Sequence, residues 1–363
     1  MNAADSQWMA QALRLAERGL YSTSPNPRVG CVLVKDGKLI GEGWHERAGE
    51  PHAEVHALRV AGNASRGATA YVTLEPCSHH GRTPPCAEAL VAAGVARVVA
   101  AMRDPNPLVA GAGIARLRAA GIEVECGLME AAAHELNVGF ISRMTRGIPW
   151  LRSKIAASLD GRTALSNGVS KWITGEAARR DVQHWRARSC AVLTGIGTVR
   201  ADDPRLDVRE ISTQRQPLRV VLDSALRISP KARILKDGQT LIYTSREQGD
   251  ELEALRAGGV EVATLAGADG KVDVSAVLRD LAQRGINEVL VEAGRTLNGA
   301  LLKAELMDEM VLYLAPQLLG DAARGLADLG ELTHLQQRVD LQWQDVRQVG
   351  DDLRIVARIT REE

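Results

Sequence analysis

Four residues in the first third of the chain have the types and spacing for metal-assisted hydrolysis. His52 and Glu54 stand in Pro51-His52-Ala53-Glu54, Cys77 follows in Glu75-Pro76-Cys77, and Cys86 closes the set after Pro84-Pro85. Zinc accepts imidazole nitrogen and thiolate sulfur, and a catalytic zinc takes three protein ligands and keeps one position for water. His52, Cys77 and Cys86 supply one nitrogen and two sulfurs. Glu54 lies two residues beyond the histidine, beside the metal but not on it, free to carry protons. Zinc lowers the pKa of bound water toward about 7. The set therefore suits hydrolysis of an amine on a ring carbon, leaving a carbonyl.

Other chemistries use the same residues. A structural zinc site takes a fourth protein ligand, and His79, His80 or His56 could provide it. A zinc-stabilised binding module would turn nothing over. A nucleic-acid-editing deaminase would share His52, Glu54 and both cysteines, but it calls for a basic face. The chain has 45 basic and 45 acidic residues and no net charge, which argues against nucleic acid as a partner. Cys31, Cys126 and Cys190 lack such neighbours and read as core.

The positioning elements can be read from the pattern. Ser6 can cap a first helix, with Trp8, Met9, Ala12, Leu13 and Ala16 at helical spacing and Gly19 at its end. Apolar runs at 29–34 and 39–44 flank Asp36-Gly37, a hairpin signal because both turn residues need positive φ. A helix follows His52. Then come strands at 70–74, 95–101 and 122–125 and helices at 87–93 and 114–120. This places His52 and Glu54 at a helix start, Cys77 at a strand end, and Cys86 at the next helix N-terminus, where thiolate is favoured.

The 363 residues suggest two domains. Arg146-Gly147-Ile148-Pro149 is the expected boundary, giving domains 1–146 and 147–363. Beyond it, strands are expected at 191–194, 220–223, 241–244, 260–265, 289–292 and 311–315, and helices at 177–187, 251–257, 274–283 and 297–305. A hairpin at 345–349 and 353–359 closes the chain. Strands alternating with helices argue for layered α/β sheets in both halves.

No apolar run approaches the roughly 20 residues of a membrane span, and no signal peptide is apparent. Five cysteines, an odd number, do not make a disulfide framework. A cytoplasmic location without membrane contact is expected.

The second half carries a weaker chemical signal. No Gly-x-Gly-x-x-Gly opens a helix after a strand. Thr194-Gly195-Ile196-Gly197-Thr198 is a slight cue. Glu292-Ala293-Gly294-Arg295-Thr296-Leu297-Asn298-Gly299 is better, since a helix starting there could hold a phosphate on its amides. A plain glycine-rich turn fits it equally well.

The eight residues between Cys77 and Cys86 exceed the P-C-x-x-C spacer of zinc deaminases in general. That longer loop, Ser78-His79-His80-Gly81-Arg82-Thr83-Pro84-Pro85, resembles the bifunctional riboflavin-biosynthesis deaminase–reductase family. So do Thr23-Ser24-Pro25-Asn26-Pro27-Arg28-Val29-Gly30, His52-Ala53-Glu54-Val55-His56-Ala57 and Asp104-Pro105-Asn106-Pro107. In the second half Ala157-Ser158-Leu159-Asp160-Gly161-Arg162, Ser170-Lys171-Trp172-Ile173-Thr174, Ala201-Asp202-Asp203-Pro204 and Val291-Glu292-Ala293-Gly294 extend the likeness over essentially the whole chain.

The resemblance implies a cytidine-deaminase-like three-layer domain followed by a dihydrofolate-reductase-like α/β domain, with Zn2+ and NADPH as cofactors. It implies hydrolytic deamination of 2,5-diamino-6-ribosylamino-4(3H)-pyrimidinone 5′-phosphate. NADPH-dependent reduction of the ribosyl side chain then gives 5-amino-6-ribitylaminouracil 5′-phosphate. Asn26 matches the pyrimidine-binding position, and Arg82 and Asn106 those reaching the ribose phosphate. Ala156, Trp172, Thr198, Asp202, Ser224 and the run Gly294, Arg295, Thr296, Leu297, Asn298, Gly299 and Ala300 match NADPH-binding positions. Ser170, Arg186, Leu206, Arg209 and Glu292 match substrate-binding positions, with Arg186 and Arg209 as phosphate holders. Lys154 is expected near the reacting carbon, and Lys154 or Asp202 as the proton donor. A homo-oligomer is expected.

Overall fold

Asn2, not Ser6, starts the first helix, α1 (Ala3–Glu17). The Asn2 side chain accepts from the Asp5 amide at 3.0 Å, and the Asp5 carboxylate accepts from the Asn2 amide at 2.7 Å. This reciprocal capping satisfies two amides that the helix itself cannot. The computed structural model describes residues 2–78, 85–107 and 109–361.

Asp36 and Gly37, at φ 50° and 72°, turn the chain between β1 (Gly30–Lys35) and β2 (Lys38–Trp44). Then follow α2 (Ala53–Ala61), β3 (Thr69–Val72), α3 (Cys86–Ala92), β4 (Arg97–Ala100), α4 (Ala112–Ala119) and β5 (Glu123–Cys126). The sheet order is β2-β1-β3-β4-β5, antiparallel through β3 and parallel from β3 to β5.

Helices cover both faces. A Cβ on Gly30 would lie 1.9 Å from the Ala12 carbonyl of α1, so α1 packs directly on that face. Cys31 points to the opposite face, and its cross-strand partner is Gly43. A Cβ on Gly43 would lie 2.5 Å from the His56 Cβ and 2.8 Å from the Ala53 carbonyl of α2. Glycine on β2 thus lets the first turn of α2 sit against the sheet, which fixes where His52 and Glu54 stand. Two unforeseen helices, α5 (Glu130–Leu136) and α6 (Val138–Arg146), complete this unit.

The two compact units are Met1–Ile148 and Pro149–Glu363. Gly147, at φ 69°, ends α6, and the Ser142 hydroxyl donates to the Ile148 carbonyl at 2.7 Å. These contacts keep Gly147 and Ile148 with the first unit.

The second unit begins with β6 (Trp150–Ser158), a strand absent from the pattern reading, and β7 (Arg162–Ala164). It continues through α7 (Glu176–Arg188), β8 (Ala191–Gly195), α8 (Ile196–Asp202), β9 (Leu218–Leu222), β10 (Thr240–Thr244), α9 (Asp250–Ala257) and β11 (Glu261–Thr264). Next come α10 (Val274–Gln283), β12 (Glu288–Val291), α11 (Arg295–Lys303), β13 (Glu309–Ala315), β14 (Arg324–Gly325), β15 (Leu341–Val349) and β16 (Asp352–Ile359). Nine strands form one sheet in the order β11-β10-β9-β8-β12-β6-β13-β16-β15. It is parallel up to β13, and the closing hairpin is antiparallel. Leu193, Val220, Ile242, Leu290 and Val311 belong to its buried core. No helix among the described residues is long and apolar enough to cross a membrane.

Candidate active sites

In the first unit the Cys86 and Cys77 sulfurs lie 3.3 and 3.6 Å from His52 Nδ1. All three ligand atoms fall within 4.8 Å of one another. With Zn–S near 2.3 Å and Zn–N near 2.0 Å, a tetrahedron spans about 3.5 Å between nitrogen and sulfur. The triangle therefore fits a zinc ion. His56 is outside this cluster, and its Cβ packs against Gly43 of β2. His79, His80 and Arg82 lie outside the described residues.

Burial and the neighbouring charges polarise the centre. Hydrogen bonds from the Cys86 thiol, His52 and the Cys86 amide hold the Cys77 thiol well below its ordinary value, against burial. The Cys86 thiol is pushed up by Cys77 and by burial. The amide at the start of α3 thus supports the Cys77 sulfur, 3.3 Å away, instead of its own residue's thiolate as expected. His52 is raised by its hydrogen bond to Cys77. Glu54 is 3% exposed, and its Oε2 has no hydrogen-bond partner among the described residues. Burial, then the Cys77 thiolate, pushes its carboxyl up to about 7. A bound cation would pull that value down again.

These residues open into a cavity of about 590 Å³. Asn26 and Asn106 line it with His52, Glu54 and Cys77. His45, which pattern reading passed over, lies against Asn26 and His52. Its Nδ1 lies 3.2 Å from the Pro51 carbonyl, and its Nε2 lies 3.1 Å from Asn26 Nδ2. Burial lowers the His45 pKa. A neutral ring donating to Pro51 accepts from the Asn26 amide and leaves the Asn26 carbonyl oxygen for a ligand. The only usable signal was a histidine directly after the β2 strand. Phe140, Arg143 and Met144 also line the cavity. They come from α6, which sequence reading did not find.

In the second unit a cluster forms on one end of the parallel strands. Arg186, in the last turn of α7, donates from Nε and Nη2 to the two Glu292 oxygens at 2.6 and 2.9 Å. Its Nη1 donates to the Asp207 carbonyl at 3.0 Å. All three guanidinium nitrogens are thus engaged within the protein. Lys154, on β6, is half-buried and feels both Glu292 and Arg186; desolvation lowers its pKa and Glu292 opposes this. Leu206 is buried beside Asp207, and the Arg209 Nη1 pairs with the Asp207 carboxylate at 3.1 Å. Lys154, Arg186, Leu206, Arg209 and Glu292 therefore share one place. Ser170 lies on the segment between β7 and α7, half-buried.

The expected cofactor positions divide. Ala156 is half-buried on β6, and Thr198 and Asp202 lie on α8. Lys171 Nζ sits 3.8 Å from the Asp202 carboxylate, which brings the Trp172 segment to the end of α8. Trp172 is 71% exposed, with the Arg179 guanidinium 4.6 Å over its ring. The Ser224 hydroxyl accepts from the Val272 amide at 3.0 Å. Gly294, Arg295 and Thr296 are exposed at the start of α11, Leu297 is half-buried and Ala300 is exposed.

Asn298 and Gly299 face inward. Asn298 accepts from Ser153 at 2.9 Å and donates to the Ala293 and Leu326 carbonyls. A Cβ on Gly299 would lie 2.2 Å from the Asp328 carbonyl oxygen. Gly299→Ala is expected to destabilise the second unit by about 1–3 kcal/mol. Thermal unfolding measures this, and an unchanged midpoint would contradict the close approach.

Residues 149–355 match the family described as the RibD C-terminal domain, and residues 2–102 match the cytidine and deoxycytidylate deaminase zinc-binding region. The chain is 52% identical to the riboflavin biosynthesis protein RibD of Escherichia coli strain K12, covering 96% of this chain and 98% of that one. It is 47% identical to RibD of Haemophilus influenzae, covering 97% and 96%. It is similar to the solved Acinetobacter baumannii RibD, form 1, with TM-score 0.91, 50% identity and 99% of both chains covered. It is also similar to a diaminohydroxyphosphoribosylaminopyrimidine deaminase/5-amino-6-(5-phosphoribosylamino)uracil reductase from Thermotoga maritima. There the TM-score is 0.86 and the identity 34%, with 98% and 99% covered.

Proposed function

Because the chain belongs to the bifunctional deaminase–reductase family of riboflavin biosynthesis, we propose that deamination occurs at His52, Glu54, Cys77 and Cys86 and reduction around Lys154 and Glu292. It is an enzyme with both activities, using zinc and NADPH on a small-molecule substrate. The observation that carries the assignment is the three-ligand triangle beside the buried Glu54 carboxylate, whose Oε2 has no partner among the described residues. We assign the two activities to the two compact units in chain order.

The substrate is 2,5-diamino-6-ribosylamino-4(3H)-pyrimidinone 5′-phosphate. His52, Cys77 and Cys86 hold the zinc, which when bound acidifies water and polarises its neighbours. Asn26, oriented by His45, takes the ring edge. Asn106 takes the ribose phosphate end together with Arg82. Glu54 accepts a proton from water and returns it to the ring nitrogen. The second proton leaves with ammonia, and a carbonyl replaces the amine. Water and the amine are consumed and one ammonia is released per turnover.

For the second step the ribosylamine ring opens, C1′–O4′ breaking as the amine proton passes to O4′, and the C1′=N imine results. NADPH, when bound, would supply hydride to C1′ while a proton reaches the nitrogen. Ala156, Trp172, Thr198, Asp202, Ser224 and residues Gly294 to Ala300 would hold the cofactor, the exposed Gly294, Arg295 and Thr296 taking its phosphates. Asn298 and Gly299 serve by shaping α11. Lys154 faces the reacting carbon and offsets the charge that develops there. Glu292 and Leu206 flank the substrate with Ser170. Arg186 holds Glu292, so Arg209 is the phosphate ligand of the pair. The free state of all five cysteines supports a cytoplasmic site of action, and we take the enzyme to be a homo-oligomer without nucleic-acid or membrane partners.

A coupled assay with metal analysis tests this reading. The expected result is one zinc per chain, ammonia from the diaminopyrimidine ribotide, and NADPH consumption that follows it. Ammonia release from tRNA or single-stranded DNA instead would identify an editing deaminase.

A further inference from the structure

Glu75 is charged, 3% exposed and two residues from Cys77, yet nothing in the reaction above uses it. Its carboxylate accepts three backbone N–H groups, two from the loop that follows β4 and one from the first turn of α4. Oε2 takes the amides of Asp104 at 3.2 Å and Gly111 at 2.9 Å, and Oε1 takes that of Ile114 at 3.0 Å. Its own amide donates to the Met102 carbonyl at 2.9 Å. The first turn of α4, which ends that loop, seats tightly on the next residue, since a Cβ on Gly113 would lie 1.9 Å from the Pro76 carbonyl oxygen.

The loop carries part of the cavity wall. Asp104, Asn106 and Val109 line the cavity that His52, Glu54 and Cys77 open into. Asn106 is fixed relative to the pinned end: its amide donates to the Asp104 carboxylate at 2.9 Å. Its carbonyl accepts from the Val109 and Ala110 amides, both at 2.9 Å. One buried carboxylate therefore ties the arm that delivers a metal ligand to the loop that delivers a substrate contact. A carboxylate has acceptor capacity for three amides and no hydrogen to place among them. Charge-assisted bonds to backbone amides are also the stronger kind.

We propose that Glu75 is a positioning residue for the deamination, setting the distance between the Cys77 arm and the Asn106 loop. The proposal rests on reading the first unit as the deaminase. Glu75→Gln keeps the shape but turns an N–H toward at least one of the three backbone N–H groups. The loop then shifts while His52, Cys77 and Cys86 keep their places.

The experiment measures ammonia release against substrate concentration in the full enzyme, with zinc content alongside. In E75Q, KM is expected to rise roughly tenfold to a hundredfold, the usual worth of one hydrogen bond to a charged group such as the substrate phosphate. Zinc stays at one per chain, and kcat changes far less, as befits loss of binding common to ground and transition states. Asn106→Ala should cost less in the E75Q background than alone, because both act through one loop. An unchanged KM, or fully additive losses, overturns the proposal.

Hydrogen exchange on the unaltered protein provides a test that does not depend on the variant folding. The amides of Asp104, Gly111 and Ile114 should exchange slowly, and free exchange at all three overturns the proposal. Absence of ammonia release by the unaltered enzyme would instead remove the deaminase reading itself.

Discussion

Glu54→Gln is expected to cut ammonia release by about 10²–10⁴-fold, the usual contribution of a positioned general acid–base group. Zinc content should not change, because Glu54 lies outside the His52, Cys77, Cys86 ligand set. The substitution keeps the side-chain shape in a site that is 3% exposed, so packing is retained. What disappears is the ability to accept and return a proton: a carboxamide offers no basic oxygen at neutral pH. NADPH oxidation with the deaminated intermediate should continue at the unaltered rate. Ammonia assay, metal analysis and NADPH absorbance on the same preparation give the three numbers. Full deamination by the variant would remove Glu54 from the mechanism, and loss of zinc would mean that it holds the site together instead.

Glu292→Ala is expected to be the most damaging change in the second unit. Glu292 is nearly buried and accepts both prongs of the Arg186 fork. Removing one partner of such a pair leaves a buried charge uncompensated, which costs about 3–5 kcal/mol. Here the loss is compounded, because Lys154 and Arg186 then face each other with no anion between them. Denaturant unfolding should register the loss, and NADPH oxidation should fall with it while zinc content is kept.

Glu292→Gln isolates the electrostatic part. Glu292 raises the Lys154 pKa against the lowering effects of burial and Arg186. Without the anion, the Lys154 pKa falls further below its ordinary value, so its charged form is lost at lower pH. If charged Lys154 supports reduction, the alkaline limb of the reductase pH profile moves to lower pH in this variant. A limb that stays in place would exclude Lys154 as the group that sets it.

The zinc centre was legible because its chemistry is local in sequence. His52 and Glu54 are two residues apart at a helix start, and Cys77 and Cys86 each follow a proline. The Asp36-Gly37 turn was readable for a similar reason, since positive φ at both turn residues selects that dipeptide. Ser6 was the wrong cap because Asn2 and Asp5 satisfy each other's amides, which leaves no role for a cap inside the helix.

Strand β6 shows what local pattern misses. Arg152, Ser153 and Lys154 interrupt its apolar run, so nothing in the sequence marks a central strand. Arg152 can be fully buried there only because Glu288 and Glu309, far along the chain, neutralise it. Helix α6 was missed as well, and with it Phe140, Arg143 and Met144 on the cavity wall.

By itself the sequence determined a His/Cys/Cys group with a carboxylate two residues from its histidine, the order of the two units and, through the long Cys77–Cys86 loop, the family. Only the tertiary structure decided which groups are still open to a ligand. It engaged Arg186 with Glu292 and turned Asn298 and Gly299 inward, put His45 behind Asn26 and set Glu75 under the Asn106 loop. The physical reason is that a residue's chemical capacity is a local property, whereas its burial and its partners are set by segments that meet only in the folded chain.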